Sequence, residues 1–271
     1  MKNKVIIYAF VLPMGLLFIG PMLFTFLSSF KGNTEIFSAP FSLPEVFRFE
    51  NYIVAWNEAN MSRYFINSIV ISLATVIILA FVSSMAAYVL ARFNFKINRF
   101  LSLFFLLGMM LPMHTVLVPV AYMIGLLGLK NNLLALVLLF VAFSLSFSIL
   151  VLTRFMQSIN LSLEEAAIID GASYFQIYWR IILPMSVPAI STISIFNFLA
   201  AWNNILFPLL FINDDRFKPI ALGLLNFSGE RGSEFGPLMA AIIITITVPL
   251  IVYLLFQEKV ESGLAAGAVK E

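Results

Sequence analysis

The sequence predicts an all-α membrane protein with six transmembrane helices, both termini cytoplasmic, and three observations predict it. Of 271 residues, 61% are hydrophobic and only 11% are charged, whereas soluble domains run near 45–50% and about 25%. Six long apolar runs, at 5–30, 65–91, 100–127, 133–155, 185–212 and 235–256, each reach the roughly 20 residues that carry a helix across about 30 Å of hydrocarbon. The charges can be placed in the connections and tails, as lipid demands of groups that are expensive to hold at mid-depth.

The first run follows Lys2 and Lys4. It is too long for the apolar region of a signal peptide, about 7–15 residues, and no small-x-small cleavage pattern follows it directly, so it reads as a retained span. The connection after the second run carries Arg92, Lys96 and Arg99, and the one after the third only Lys130. Short basic connections stay inside, which puts this face and both termini in the cytoplasm. Residues 31–63, with Pro40, Pro44 and Trp56, and residues 213–234, with Asp214, Asp215 and Arg216, then face outward. Both exceed simple turns; they read either as a docking surface or as ordered covers of the span ends. Pro13, Pro21, Pro112, Pro119, Pro208 and Pro249 fall in or near spans, where neighbouring helices can satisfy the carbonyls a proline frees.

One interior segment breaks the apolar pattern. Between the fourth and fifth runs stand Glu164, Glu165, Asp170 and Arg180 among small and aromatic residues. Ser162 followed by Glu165 has the spacing of a capping box, and Ser173 followed by Gln176 repeats it. Gly171 between them suits the left-handed residue that closes a helix. The segment therefore predicts helix, glycine turn, helix, ending near Pro184. Tyr174, Phe175, Tyr178, Trp179 and Ile182 are expected on one face of the second helix, while Ala166, Ala167, Gly171 and Ala172 leave room for another backbone. A surface helix seated in a partner's groove fits this pattern better than a helix resting on lipid, because the acidic first helix is poorly placed against anionic headgroups.

Other candidates carry less. His114, the single histidine, lacks the local carboxylate a proton relay wants and is expected to be a satisfied structural residue. Asn197, Asn203 and Asn204 either line a hydrophilic path or tie helices together, and the sequence leaves both open. The phosphate-loop spacing G-x-x-x-x-G-K-[ST] is absent. No nucleophile signature, metal-ligand cluster or pair of carboxylates within the runs is seen, so no catalysis and no bound metal or cofactor are expected of this chain. The absence of cysteine removes disulfides and thiolate sites, and a net charge of +2 gives no nucleic-acid surface.

Glu165-Ala166-Ala167, three residues, Gly171, nine residues and Ile181-Ile182-Leu183-Pro184 resemble the EAA loop of permease subunits of bacterial ABC importers. The form from Glu165 to Ala172 is similar to the carbohydrate branch, the smaller of the two maltose-type permeases. Phe198 to Phe211, with Trp202-Asn203 and Pro208-Leu209, resembles that family's fifth span. Asn51-Tyr52 with Phe65, Asn67 and Ser68 resembles its first outer loop, and Gly263 to Lys270 its C-terminal end. The resemblance spans nearly the whole chain; Glu271 in place of a final Gly, and acid at Glu258 and Glu261, depart from it.

The resemblance implies a single permease domain over 1–271 in the bacterial cytoplasmic membrane, with a cytoplasmic coupling loop at 157–184 and a cytoplasmic tail at 258–271. Glu165, Ala166, Ala167, Asp170, Gly171, Ala172, Leu183 and Pro184 would dock an ATPase. Asn197, Trp202, Asn203 and Asn204 would border the path, and Gly263 and Gly267 would belong to the tail. It also implies as partners a second, different permease, two ATPase subunits that use ATP and Mg, an extracytoplasmic substrate-binding protein and membrane lipid. The alternative is a transporter or channel driven by an ion gradient, which would call for ionisable groups at mid-depth or inverted repeats; neither is seen.

Overall fold

The computed structural model describes residues 2–230 and 234–268, with side chains described except at 2–7, 9, 10, 58, 226–230 and 258–268. Every regular element among them is helical. The long α1 (Lys2–Ser28) leads into two short helices, α2 (Asn33–Ser38) and α3 (Glu50–Ile53), the latter continued by a π turn at Val54–Glu58. Then come α4 (Met61–Arg92), α5 (Asn98–Met110), a 3₁₀ turn at Met113–Val116, α6 (Leu117–Leu126) and α7 (Leu133–Ser158). Next are α8 (Ser162–Ile169), α9 (Tyr174–Ile177), a π turn at Tyr178–Ile182, α10 (Leu183–Met185), α11 (Val187–Asn203) and α12 (Leu206–Phe211). A 3₁₀ turn at Asp215–Phe217, α13 (Ile220–Glu230) and α14 (Phe235–Ala268) complete the order.

Four stretches are long and apolar enough to cross a membrane: Val11–Ser28, Met61–Arg92, Leu133–Ser158 and Phe235–Gln257. The third and fifth runs are not straight helices. Asn98–Met110 and Met113–Leu126 meet at 91°, and Tyr174–Met185 meets Val187–Asn203 at 69°, so the described residues hold four helices long and apolar enough to span, or up to six if each bent pair is one. The first bend has a local cause. Proline disfavours helical geometry in the residue before it, and Leu111, before Pro112, is extended with ψ 118°. His114 is exposed on the 3₁₀ turn that follows, which corrects the expectation of a satisfied structural residue. Arg154 lies inside α7, exposed near its C-terminal end, rather than in a connection.

The chain divides into two compact units. The first comprises Met1–Ile66 and Pro219–Leu250. Residues 31–63 are ordered in it by a polar lattice. Asn51 Nδ2 donates to the carbonyls of Ser29 (2.9 Å) and Lys31 (3.0 Å). Lys31 is fully buried and its ammonium donates to Ala39 O (2.7 Å), Pro40 O (3.3 Å) and Ser42 Oγ (3.1 Å). A buried cation is tolerated where its protons find acceptors. Gly236 is needed here, since a Cβ would lie 2.6 Å from Lys31 O.

The second unit comprises Asn67–Lys218 and Ile251–Glu271. At one end, Asn67 Nδ2 donates to Arg216 O (3.0 Å) and Lys218 O (2.9 Å). Asn131 Oδ1 accepts from the amides of Asn213 (2.6 Å) and Asp214 (2.9 Å). At the other, Ala87, Tyr88, Leu152, Met156, Ile159, Ile177, Tyr178, Ile182, Ala189 and Ile193 form one buried cluster. This core joins α4, α7 and α11 to the polar segment.

Candidate functional site

The polar segment folds as helix, glycine turn, helix. Gly171 has φ +84°, where glycine avoids the cost other residues meet. Its amide donates to Ile168 O and the Ala172 amide to Ala167 O, each at 2.9 Å. This pair of bonds is the Schellman arrangement, which satisfies the open carbonyls at the end of α8. The box at Ser173 is present: its hydroxyl accepts from Gln176 N (3.3 Å) and Gln176 Oε1 accepts from Ser173 N (2.8 Å).

The first capping box does not form. Ser162 is the first residue of α8, its predecessor Leu161 makes no side-chain cap, and Asn160 Oδ1 accepts from Ser162 N (3.0 Å) instead. Asparagine readily makes this turn to an amide two residues on. The aromatic stripe is also divided. Tyr178 and Ile182 are buried with Ile177, while Tyr174, Phe175 and Trp179 are exposed. A π turn at Tyr178–Ile182 interrupts the 3.6-residue period, so a helical wheel drawn through Trp179 and Ile182 misassigns the faces.

The adjacent acids part company. Glu164 is 5% exposed and pairs with Arg92 Nε at the end of α4; its other oxygen accepts from Tyr88 Oη (3.3 Å). Arg92 Nη2 donates further to Ile159 O (3.0 Å), just beyond α7. Beside them Tyr178 Oη and Ser84 Oγ are 2.7 Å apart. Neither the Arg92–Glu164 pair nor the Tyr178–Ser84 bond is legible from the sequence; Arg92 reads there only as a basic flank, and no local spacing links it to Glu164. The acidity of the first helix as presented outward is therefore that of Glu165 and Asp170 alone.

Glu165, Ala166, Asp170, Gly171 and Pro184 are exposed, Ala167, Ala172 and Leu183 half-buried. Leu161, Leu163, Ile168 and, at 86% exposed, Ile169 surround the acids with apolar surface. The exposed face thus combines two carboxylates, small residues and aliphatic side chains around a rigid turn, a surface suited to a protein groove and bearing nothing of a catalytic constellation.

The asparagines of the fifth run do different things. Asn197 is buried, and its Nδ2 donates to Ile193 O (2.7 Å) and across to Ser148 Oγ of α7 (3.3 Å). Trp202 is 1% exposed, stacked on Phe198 with centroids 5.9 Å apart. Asn204 leaves the helix and its Oδ1 accepts from Phe207 N (3.0 Å), starting α12. Asn203, at the end of α11, is exposed. Gly263 and Gly267 fall on α14 among residues whose side chains are outside those described, as are Lys270 and Glu271 entirely.

Comparison with known proteins gives one consistent result. Residues 81–265 match the family described as binding-protein-dependent transport system inner membrane component. The chain is 35% identical to the diacetylchitobiose uptake system permease protein NgcG of Streptomyces coelicolor, over 97% of this chain and 88% of that protein. It is 37% identical to the trehalose/maltose transport system permease protein MalG of Thermococcus litoralis, over 82% of this chain and 81% of that one. Its fold matches a chain of a bacterial ABC transporter involved in the import of the acidic polysaccharide alginate, with a TM-score of 0.83 at 22% identity, over 95% of this chain and 96% of that chain.

Proposed function

We infer the function from one premise: the chain belongs to the family of binding-protein-dependent transport system inner membrane components. It is a membrane permease, a non-enzymatic component of an ATP-driven importer, and ATP is hydrolysed in separate subunits. The substrate we propose is a sugar or oligosaccharide. Support comes from relatives named for diacetylchitobiose and for trehalose and maltose.

In this reading six spans cross the bacterial cytoplasmic membrane, the bent pair over 98–126 counting as one and Val187–Asn203, after the loop, as another, with both termini in the cytoplasm. Arg92, bonded to the 157–184 loop, and Lys96 and Arg99 after it in sequence favour the inner face for the loop. The loop couples the spans to one ATPase of a pair that binds ATP and Mg; Glu165, Ala166, Ala167, Asp170, Gly171, Ala172, Leu183 and Pro184 form or support the docking face. A second, different permease completes the path, and an extracytoplasmic binding protein delivers the substrate. Asn203 is the best placed of the four path candidates to meet a sugar hydroxyl; Asn197, Trp202 and Asn204 shape the helix behind it. The tail at 258–271, with Gly263 and Gly267, lies on the ATPase side.

The observation that carries the coupling assignment is the exposed, Schellman-closed turn at Gly171, a rigid projection with acids and aliphatics around it. Gly171→Glu places a side chain at positive φ and a charge on the docking face. Purification through a tag on this chain should bring down ATPases and a second permease from the native host, and the variant should lose the ATPases and uptake while remaining in the membrane. Unchanged uptake by the variant would sink the coupling assignment; uptake from vesicles lacking ATP but keeping an ion gradient would favour a secondary transporter.

A further inference from the structure

We propose that the Arg92–Glu164 pair, with the Tyr178–Ser84 hydrogen bond beside it, makes α4 move with the 157–184 loop. This rests on the loop's being the ATPase-docking element. The covalent chain joins the loop to α7 and α11 only. Yet the side-chain polar bonds described from its buried face, those of Glu164 and Tyr178, end on α4.

Their partners are Ser84, Tyr88 and Arg92, spaced four residues apart, so they form one stripe along the last two turns of α4. The stripe meets the loop twice, through Glu164 of α8 and through Tyr178 after α9. Arg92 also donates to Ile159 O beyond α7, so one guanidinium joins three elements. Apolar packing alone lets helices slide. A charge-assisted bond from a planar guanidinium is directional, and separating this pair would strand two charges away from water. A displacement of the loop is therefore resisted unless α4 follows.

The pair is also within reach of a docked subunit. A recess of about 180 Å³, lined by Arg92, Leu161, Glu164, Glu165, Ile168 and Tyr174, lies at the junction. Exposed Glu165 and Ile168 border it, so a partner seated on the loop presses on the wall that contains the pair. By contrast, the covalent route into α11 passes a π turn and a 69° bend at Ser186, a softer connection than a bonded stripe.

The chain has no cysteine, so two introduced cysteines report without interference. Arg180→Cys on the loop and Ile77→Cys on α4, both exposed positions, carry spin labels in the assembled transporter with its ATPases and second permease. Distances are compared without nucleotide and after trapping with ATP and vanadate. With the pair intact, the distance distribution should be the same in both states. In R92M/E164L, which replaces both charges by apolar side chains, it should shift on trapping, while ATPases still co-purify and hydrolyse ATP. A distribution that moves with the pair intact, or stays fixed in the double variant, overturns the proposal. Should R92M/E164L fail to assemble, E164Q/Y178F removes one charge and one hydroxyl at nearly constant volume and is read by the same criterion. Absence of any ATPase with the unmodified chain overturns the docking reading and this proposal together; the label distances overturn the pair's role alone.

Discussion

The two faces of the 157–184 loop are built by neighbours in sequence and behave as different materials. Glu164 lies with Arg92, Tyr88 and the apolar cluster around Met156 and Ile177; Glu165, one residue on, is exposed. Successive residues on a helix point about 100° apart, enough to move one acid into the protein and leave the other outside. Identical chemistry thus serves cohesion on one face and, in the proposed reading, recognition on the other, and substitution should separate the two.

The largest difference should come from Glu164→Ala. It leaves Arg92 buried with only the Ile159 carbonyl, and removing one partner of a buried pair costs about 3–5 kcal/mol. The purified chain should melt well below the parent, and Glu165→Ala should not. Equal melting temperatures for both would show that the two faces are not energetically distinct.

Gly171→Ala comes next. Nothing lies within 4 Å of the position a Cβ would take, so the penalty is conformational, roughly 1–2 kcal/mol for a left-handed non-glycine residue. This variant sharpens the comparison, because it adds no charge: the turn should loosen and ATPase retention fall partly, where Gly171→Glu is expected to abolish it. Loss of both equal to the glutamate variant's would show that shape, and not the surface chemistry, dominates docking.

Sequence reading reached some of this and stopped at identifiable places. The apolar helices, four of them long enough to span unbroken, the glycine turn and the Ser173 box depend on local composition and spacing, and the structure contains them. The 91° bend is local too, since Pro112 fixes Leu111 in extended backbone, but the tolerance of membrane helices for proline hid it. Glu164 was not legible for another reason: its partner stands 72 residues away, and no periodicity relates Arg92 to one acid of the pair over the other. The π turn after Ile177 defeated the helical wheel because it changes the period on which the wheel rests. Asn197, left open between path and glue, bonds across helices in the isolated chain.

The two serines give the smallest and cleanest contrast. Ser173 and Ser162 each stand three residues before a glutamine or glutamate, and only Ser173 caps. Asn160 has already taken the Ser162 amide, so α8 begins one residue earlier than the box requires and the Ser162 side chain sits on the helix rather than before it. Ser173→Ala should therefore cost about 1 kcal/mol, the usual worth of an N-cap, and Ser162→Ala less than about 0.5 kcal/mol, as for an exposed site without special contacts. Asn160→Ala is the check on that reasoning. With its carbonyl gone, Ser162 is free to become the cap, and adding Ser162→Ala in that background should then cost what it does not cost alone. Denaturant midpoints of the four chains measure the coupling directly, and strict additivity between Asn160 and Ser162 would show that the two residues do not compete for the start of α8.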